Sequence, residues 1–257
     1  MDLADVMQEY NEFERKFGNS FNGTMKSDDN LTKFVSIDRH GSYISFFNFD
    51  ENMTESIVKD QLAYFNKRNL CFEWKTYSTD KPSNIGEILL AYGFEQEDSE
   101  SFMVLDLSKV VSEPEPFDEL QITEVSDSKG IYDAIKVQEQ VWGRDFDWQY
   151  NYLMNLKKHS PDSVFIYVVY VNEQPVTSAW LTFNGNSPFA GIWGGSTIEE
   201  FRGNGYYSLL LNKRIAKAKS KGVKYLIIDA SDMSKPIVSK RGFQVVATTT
   251  GYTSPNS

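Results

Sequence analysis

The segment VFIYVVYV, residues 164–171, consists only of β-branched and aromatic side chains and carries neither charge nor glycine. Such residues lose side-chain freedom in a helix and pack well on a pleated surface, so the segment predicts a strand buried on both faces. A polar turn at 172–174 returns the chain into PVTSAWLTF, residues 175–183, and the two strands form a hairpin. A second turn at 184–188 leads into FAGIWGGST, residues 189–197, a strand that carries two adjacent glycines.

Around this core the pattern alternates between strand and helix. In the first part of the chain it predicts strands over 43–49, 70–77 and 101–107 and helices over 54–69 and 83–94. Later it predicts a strand over 120–125, helices over 128–142 and 148–158, and a helix from about 206 to 221 whose Tyr207, Leu211, Ile215 and Ala218 recur at helical spacing. A buried strand over 224–230, a short helix over 235–240 closed by Gly242, and a last strand over 243–252 complete the set. Both halves finish as strand, helix, Gly-Phe, strand, with YGFE at 92–95 and RGFQ at 241–244, which reads as a divergent internal duplication. Between them SEPEPFDEL, residues 112–120, holds two prolines and four acids, a pattern that continues neither a helix nor a central strand. The expected organisation is a domain over 1–112, a linker over 113–119 and a second domain over 120–257. Each is of the α/β (α+β) class, a mixed sheet flanked by helices, and 257 residues at about 150 per domain leave room for two.

The net charge of −10 excludes nucleic acid as the expected partner, because phosphate-backbone affinity needs a basic surface. No apolar run reaches the roughly 18 residues of a spanning helix, and the acidic amino-terminal stretch has no apolar core of a signal peptide. The reading therefore expects no membrane and a cytoplasmic location. Cys71 alone forms no internal disulfide, and with only His40 and His159 the chain has no Cys/His metal cage, so no metal is expected. Nothing in the sequence sets an oligomeric state. Charge is uneven: residues 1–112 hold 11 basic and 20 acidic side chains, whereas residues 202–241 hold 10 basic residues against Asp229 and Asp232.

That basic segment begins where a glycine-containing loop, IEEFRGNG, joins a strand to a helix. The first N–H groups of such a helix lack intrahelical partners, and with the positive end of the helix dipole they form a socket for phosphate oxygens. Gly203 and Gly205 let a ligand approach the backbone, and Arg202 with the lysines of the following helix adds positive charge. Upstream, Gly194 and Gly195 interrupt regular pairing and leave N–H and C=O groups to which an extended amide chain can add as another strand. Phosphates at a helix start beside an amide-bearing arm on an opened strand describe coenzyme A.

At this point the chain resembles a family. The element order after residue 120, with RGNGYY standing where R/Q-x-x-G-x-G/A is expected, is similar to the GNAT superfamily of acyl-CoA-dependent N-acyltransferases. The first half, through FEWKTY, NIGEILLAYGFE and SFMVLDL, resembles the degenerate first repeat of tandem members. The resemblance implies a GNAT-like fold and an N-acetyltransferase that uses acetyl-CoA as co-substrate and transfers directly to a primary amine, small or peptidic. It implies that backbone groups of Arg202, Gly203, Asn204, Gly205, Tyr206, Tyr207 and Ser208 hold the diphosphate. It also implies that Ser196, Thr197 and Ile198 pair with the pantetheine arm, with Ser231 and Ser234 completing the donor site, and that the strand around 226–229 splays.

The departures bear on mechanism. The last small residue of the loop pattern is Tyr207, a bulkier group at the socket. Val238 stands where the family often has a proton-donating tyrosine, and the strand over 189–197 has no glutamate to act as base. The carboxylates within reach are Glu199, Glu200 and Asp232, with Asp229 beside them. Each keeps a second reading: Glu199 and Glu200 as water-facing loop acids, Asp229 as a strand end, Asp232 as a helix cap. Trp142, Trp148, Tyr150 and Tyr152 line an acceptor pocket or pack in the core. A catalytically silent acyl-CoA sensor or scaffold is the alternative function.

Overall fold

The computed structural model describes residues 2–17, 22–110 and 122–255. In chain order it comprises α1 (Leu3–Tyr10), β1 (Gly23–Ser27), β2 (Leu31–Ser36), β3 (Ser42–Phe47), α2 (Thr54–Asn66), β4 (Phe72–Tyr77), α3 (Ile85–Ala91), β5 (Glu95–Gln96) and β6 (Glu100–Asp106). It continues with β7 (Ile122–Val125), α4 (Ser128–Trp142), α5 (Asp147–His159), β8 (Val164–Val171), β9 (Gln174–Phe183), β10 (Phe189–Thr197), α6 (Tyr206–Ser220), β11 (Tyr225–Ala230), α7 (Lys235–Ser239) and β12 (Gln244–Thr253). Two compact units result, Met1–Met103 with Asp229–Ser257, and Val104–Ile228. Compactness thus groups residues 229–257, which follow the second unit in sequence, with the first. The linker expected at 113–119 lies outside the described residues.

In the first unit the strand order is β1-β2-β3-β4-β12, with β5 also on β12. β3 and β4 run parallel across the crossover helix α2, and β12 lies antiparallel to β4 from Thr249↔Tyr77 to Thr253↔Glu73. Alternation along β4 sends Phe72 and Trp74 into a core with Ile44, Phe47, Ile57, Val58, Phe65 and Leu89. Four elements here, α1, β1, β2 and β5, are not anticipated by the sequence pattern. β1 is a polar strand, GTMKS, and β2 carries a lysine, Lys33, which is buried against Gln61 Oε1 at 2.6 Å and the Tyr64 ring, so neither shows a clean apolar alternation.

In the second unit the order is β11-β10-β9-β8-β7, with β10 and β11 parallel and the other neighbours antiparallel. β8 is buried from Val164 to Val169, as its composition requires. Asp127 caps α4 by accepting from the Gly130 N–H at 2.7 Å, and Gly143 ends the helix in the left-handed conformation. Its Ile131, Ala134, Ile135 and Gln138 follow helical spacing and face the sheet. The observed bounds of α4, β8 and β10 coincide with those read from sequence.

One ion pair fixes the start of the first unit. Past α1, Arg15 is buried and donates to both Asp80 carboxylate oxygens at 2.7 Å, to Ser45 O at 2.6 Å and to Asn11 Oδ1 at 2.8 Å. Burial pushes the Asp80 carboxyl above its usual range, and the Arg15 bonds act against that shift. Breaking a buried pair from one side leaves an unpaired charge, so Asp80→Ala is expected to lower unfolding free energy by about 3–5 kcal/mol. Asp80→Ala with Arg15→Met is expected to recover part of that loss, measured by urea denaturation.

Candidate functional site

The site begins with an irregularity in β10. Antiparallel pairing with β9 runs from Ala190↔Phe183 to Trp193↔Trp180, slips, and resumes at Ser196↔Ser178 and Thr197↔Thr177. One extra residue on β10 therefore makes a bulge. Gly194 adopts φ +58° there, and a Cβ on it would meet the Trp180 ring at 2.0 Å, so only glycine fits. On its other edge β10 pairs with β11 over three residues, Phe189↔Tyr225 to Gly191↔Ile227, and this register ends before the bulge.

Two helices satisfy the carbonyls that the bulge releases. From α4, Gln138 Nε2 donates to Gly194 O and to Ser178 Oγ, both at 2.7 Å, while its Oε1 accepts from Ser196 Oγ at 2.9 Å. From α6, Arg214 donates through Nη1 to Trp193 O at 3.4 Å and through Nε to Leu210 O at 3.1 Å. Arg214 is 1% exposed, and its Nη2 has no hydrogen-bond partner. Burial lowers its pKa, against the opposing pull of Tyr207 and Tyr167. Gln138 and Arg214 escaped the sequence reading because a glutamine and an arginine inside amphipathic helices look like surface residues. The available signal was Gln138 itself, a polar residue on the apolar stripe of α4.

After β10 the chain makes a single turn over Glu199–Phe201 and enters α6 through Gly203 (φ +80°) and Gly205 (φ +82°). No atom outside the adjoining residues lies within 4 Å of where a Cβ would stand on either glycine, so the loop needs them for conformation and borders open space. Gly205 is the N-cap and offers no side-chain cap, and the Asn204 amide turns back to Phe201 O at 3.0 Å. α6 thus presents its first-turn N–H groups and dipole without an acidic residue among them. The Tyr207 ring lies over Gly195, where a Cβ would be 2.7 Å from it, and Gly195 supplies the space that the bulky residue requires.

The other predicted site residues fare differently. Ser196 is buried in the Gln138 network, and Arg202 Nε donates to Thr197 O at 3.2 Å. Both backbone groups of Ile198 are engaged, its N–H with Val176 O and its carbonyl with the Phe201 N–H. The lysines of α6 do not gather at the loop: Lys217 faces Glu124 and the Phe165 ring, and Lys221 faces Asp162. At 1.5 Å per residue Lys217 stands about 16 Å along the axis from Tyr206, so Arg202 and the helix terminus supply the local positive charge. Glu199 and Glu200 are exposed. Ser231, Asp232 and Ser234 belong to the first unit; Ser231 and Ser234 hydroxyls lie 3.3 Å apart, Ser234 is the N-cap of α7, and Asp232 is exposed. Tyr150 and Tyr152 pack on the core, Trp142 and Trp148 are exposed, and Val238 is fully buried. Among the described residues no helix is long and apolar enough to cross a membrane.

A bulged strand, a parallel partner that parts from it, and a glycine loop opening a helix together form the candidate site. Residues 129–243 match the model of the acetyltransferase (GNAT) family. A GCN5-related N-acetyltransferase from Kribbella flavida shares the fold with TM-score 0.65 at 12% identity, covering 98% of this chain and 94% of that one. A functionally unknown conserved protein from Staphylococcus epidermidis superposes with TM-score 0.63 at 17% identity, over 93% and 96% of the two chains. A tandem GNAT protein from the clavulanic acid biosynthesis pathway gives TM-score 0.60 at 11% identity, over 98% and 87%. None of the curated proteins compared matches the sequence.

Replacing Gln138 by alanine orphans a part-buried carbonyl and two hydroxyls, and is expected to cost about 1–3 kcal/mol of stability by urea denaturation. A loss below about 0.5 kcal/mol would mean that water takes over the bonds of the bulge.

Proposed function

We propose that the protein is an N-acetyltransferase that transfers the acetyl group of acetyl-CoA directly to a primary amine. What supports this most is the entry to α6: two left-handed glycines, an uncapped helix terminus and open space beside them. These residues suit a diphosphate. In this reading the N–H groups of Gly203, Asn204, Gly205, Tyr206, Tyr207 and Ser208 bind its oxygens, with Arg202 adding charge. Ser196 and Thr197 flank the bulge and line the pantetheine arm; Ile198, with both backbone groups engaged, supports them from beneath. The tandem arrangement of domains over 1–112 and 120–257 is part of the same proposal.

Acetyl-CoA supplies the activated acyl carbon as a thioester. The chain's share is to hold the reactants together, which alone is worth about 7–11 kcal/mol of the barrier, and to take the ammonium proton. Glu199 and Glu200 are the proposed bases, acting on the amine directly or through water. The buried Val238 donates no proton, so the leaving thiolate takes its proton from solvent. A cytoplasmic location is part of the same proposal; Cys71 is buried and, as the one cysteine of the sequence, makes no internal disulfide.

Calorimetry with CoA tests the reading. Wild-type protein is expected to bind, and Gly205→Val, which strains the left-handed position, to lose at least tenfold in affinity while still unfolding in one cooperative transition. No binding at millimolar CoA, or unchanged affinity in Gly205→Val, rejects the phosphate site. Thiol release from acetyl-CoA with a panel of amines then separates the enzyme from a sensor, which binds tightly and turns over none.

A further inference from the structure

Away from the glycine loop, the first unit carries a cluster of carboxylates that its own cations do not balance. Along β4 the side chains opposite the core are Glu73, Lys75 and Tyr77, and register places Gly251 of β12 directly across from Lys75. A Cβ on Gly251 would lie 2.9 Å from both Glu73 Oε1 and Glu97 Oε2, so the two carboxylates converge over a residue with no side chain. Glu97 Oε1 accepts from Thr253 Oγ1 at 3.1 Å. Lys75 Nζ donates to Asp229 Oδ2 at 2.5 Å. The Asp229 side chain is 6% exposed, yet its Oδ1 is buried with no hydrogen-bond partner. Glu100, at the start of β6, is half-buried and adds a fourth carboxylate.

The cluster behaves electrostatically as one body. Burial works against the Lys75 ammonium, but Asp229 and Glu73 outweigh it and hold its pKa well above the ordinary lysine value. Burial, then Asp229, pushes Glu100 up to about 7 against the pull of Lys75, with Glu97 and Asp98 adding to the rise. Glu73 is raised by burial, with Glu97 and Asp229 adding to it. One ammonium faces four carboxylates, and a buried carboxylate oxygen still lacks a donor. Among the described residues, the carboxylates close enough to share a metal ion are Glu139, Asp145 and Asp147 of the second unit, and none of this cluster is among them. The carboxylates are too dispersed to wrap one ion. Spaced donors suit them better, and an alkylammonium group offers three N–H bonds per charge.

We propose that Glu73, Glu97, Glu100 and Asp229 around Lys75 form a binding site for an organic polycation, an aliphatic amine with two or more ammonium groups. The site rests on the amine-acceptor reading only for its role as the acceptor's anchor; binding itself stands without it.

Spermidine is the probe, titrated by calorimetry into the full chain in about 0.15 M salt, where long-range attraction is screened. Wild-type protein is expected to bind it at least tenfold more tightly than butylamine, and Glu97→Gln and Glu100→Gln each to weaken it at least tenfold with CoA affinity unchanged. Affinity is expected to rise as pH passes through about 7, where Glu100 ionises among Asp229, Lys75, Glu97 and Asp98, and to be flat there in Glu100→Gln. The raised Glu100 pKa means that the folded state holds a proton which the unfolded state has lost between about pH 4.5 and 7, so the native carboxylate costs stability as pH rises through that window. Glu100→Gln is therefore expected to melt higher than wild type at pH 8 and by a smaller margin at pH 5, showing that its lost binding is not lost folding. No spermidine binding, undiminished binding in both variants, or a loss that follows Glu139→Gln instead, overturns the proposal. Spermidine binding without CoA binding leaves this site standing and removes the acetyltransferase reading.

Discussion

The carbonyl groups of Trp193 and Gly194 impose the strictest condition on the second unit. A bulge inside a sheet takes backbone acceptors out of the ladder, and those left partly buried need other donors. Gln138 and Arg214 reach them from two different helices and donate one bond to each. The same bonds tie α4 and α6 to one strand. The start of α6 and the opened strand therefore keep a fixed relation, which is what a ligand with a phosphate end and an amide arm requires. Arg214 carries the cost, with a fully buried guanidinium and one nitrogen unmatched.

Much of this was legible before the structure. Bounds for α4, β8 and β10 follow from residue type because α4 keeps a helical stripe between Asp127 and Gly143 and the two strands are apolar runs closed by polar turns. Gly203 and Gly205 were readable because a loop that needs positive φ names its residues. What stayed hidden was of two kinds. β1 and β2 lack alternation, Lys33 being buried through a partner 28 residues away in Gln61. Gln138 and Arg214 act on carbonyls 56 and 21 residues distant, and no local pattern encodes such a pairing. The charge of the 202–241 segment misled in its detail: helical geometry carries Lys217 and Lys221 away from the loop to acids of their own.

The two units divide the electrostatic work. In the second, positive potential comes from peptide dipoles and Arg202 at an open helix end, a field suited to anions. In the first, the face of β4 and β12 gathers negative charge around Gly251, and the neighbouring Tyr10 and Tyr77 hydroxyls, 3.1 Å apart, stay protonated because burial and then nearby negative groups oppose their ionisation. The net charge of −10 thus conceals one surface for each sign.

The placement of β12 governs the order in which the molecule can assemble. Its partner β4 is made early, yet Thr76 Oγ1 bonds Thr250 O across 174 residues of chain. All residues of the second unit are encoded before β12, so the first unit closes only when the last-made strand reaches the β4 edge. Until then the amino-terminal sheet has its β4 edge unpaired, so a chain cut short before β12 exposes that edge.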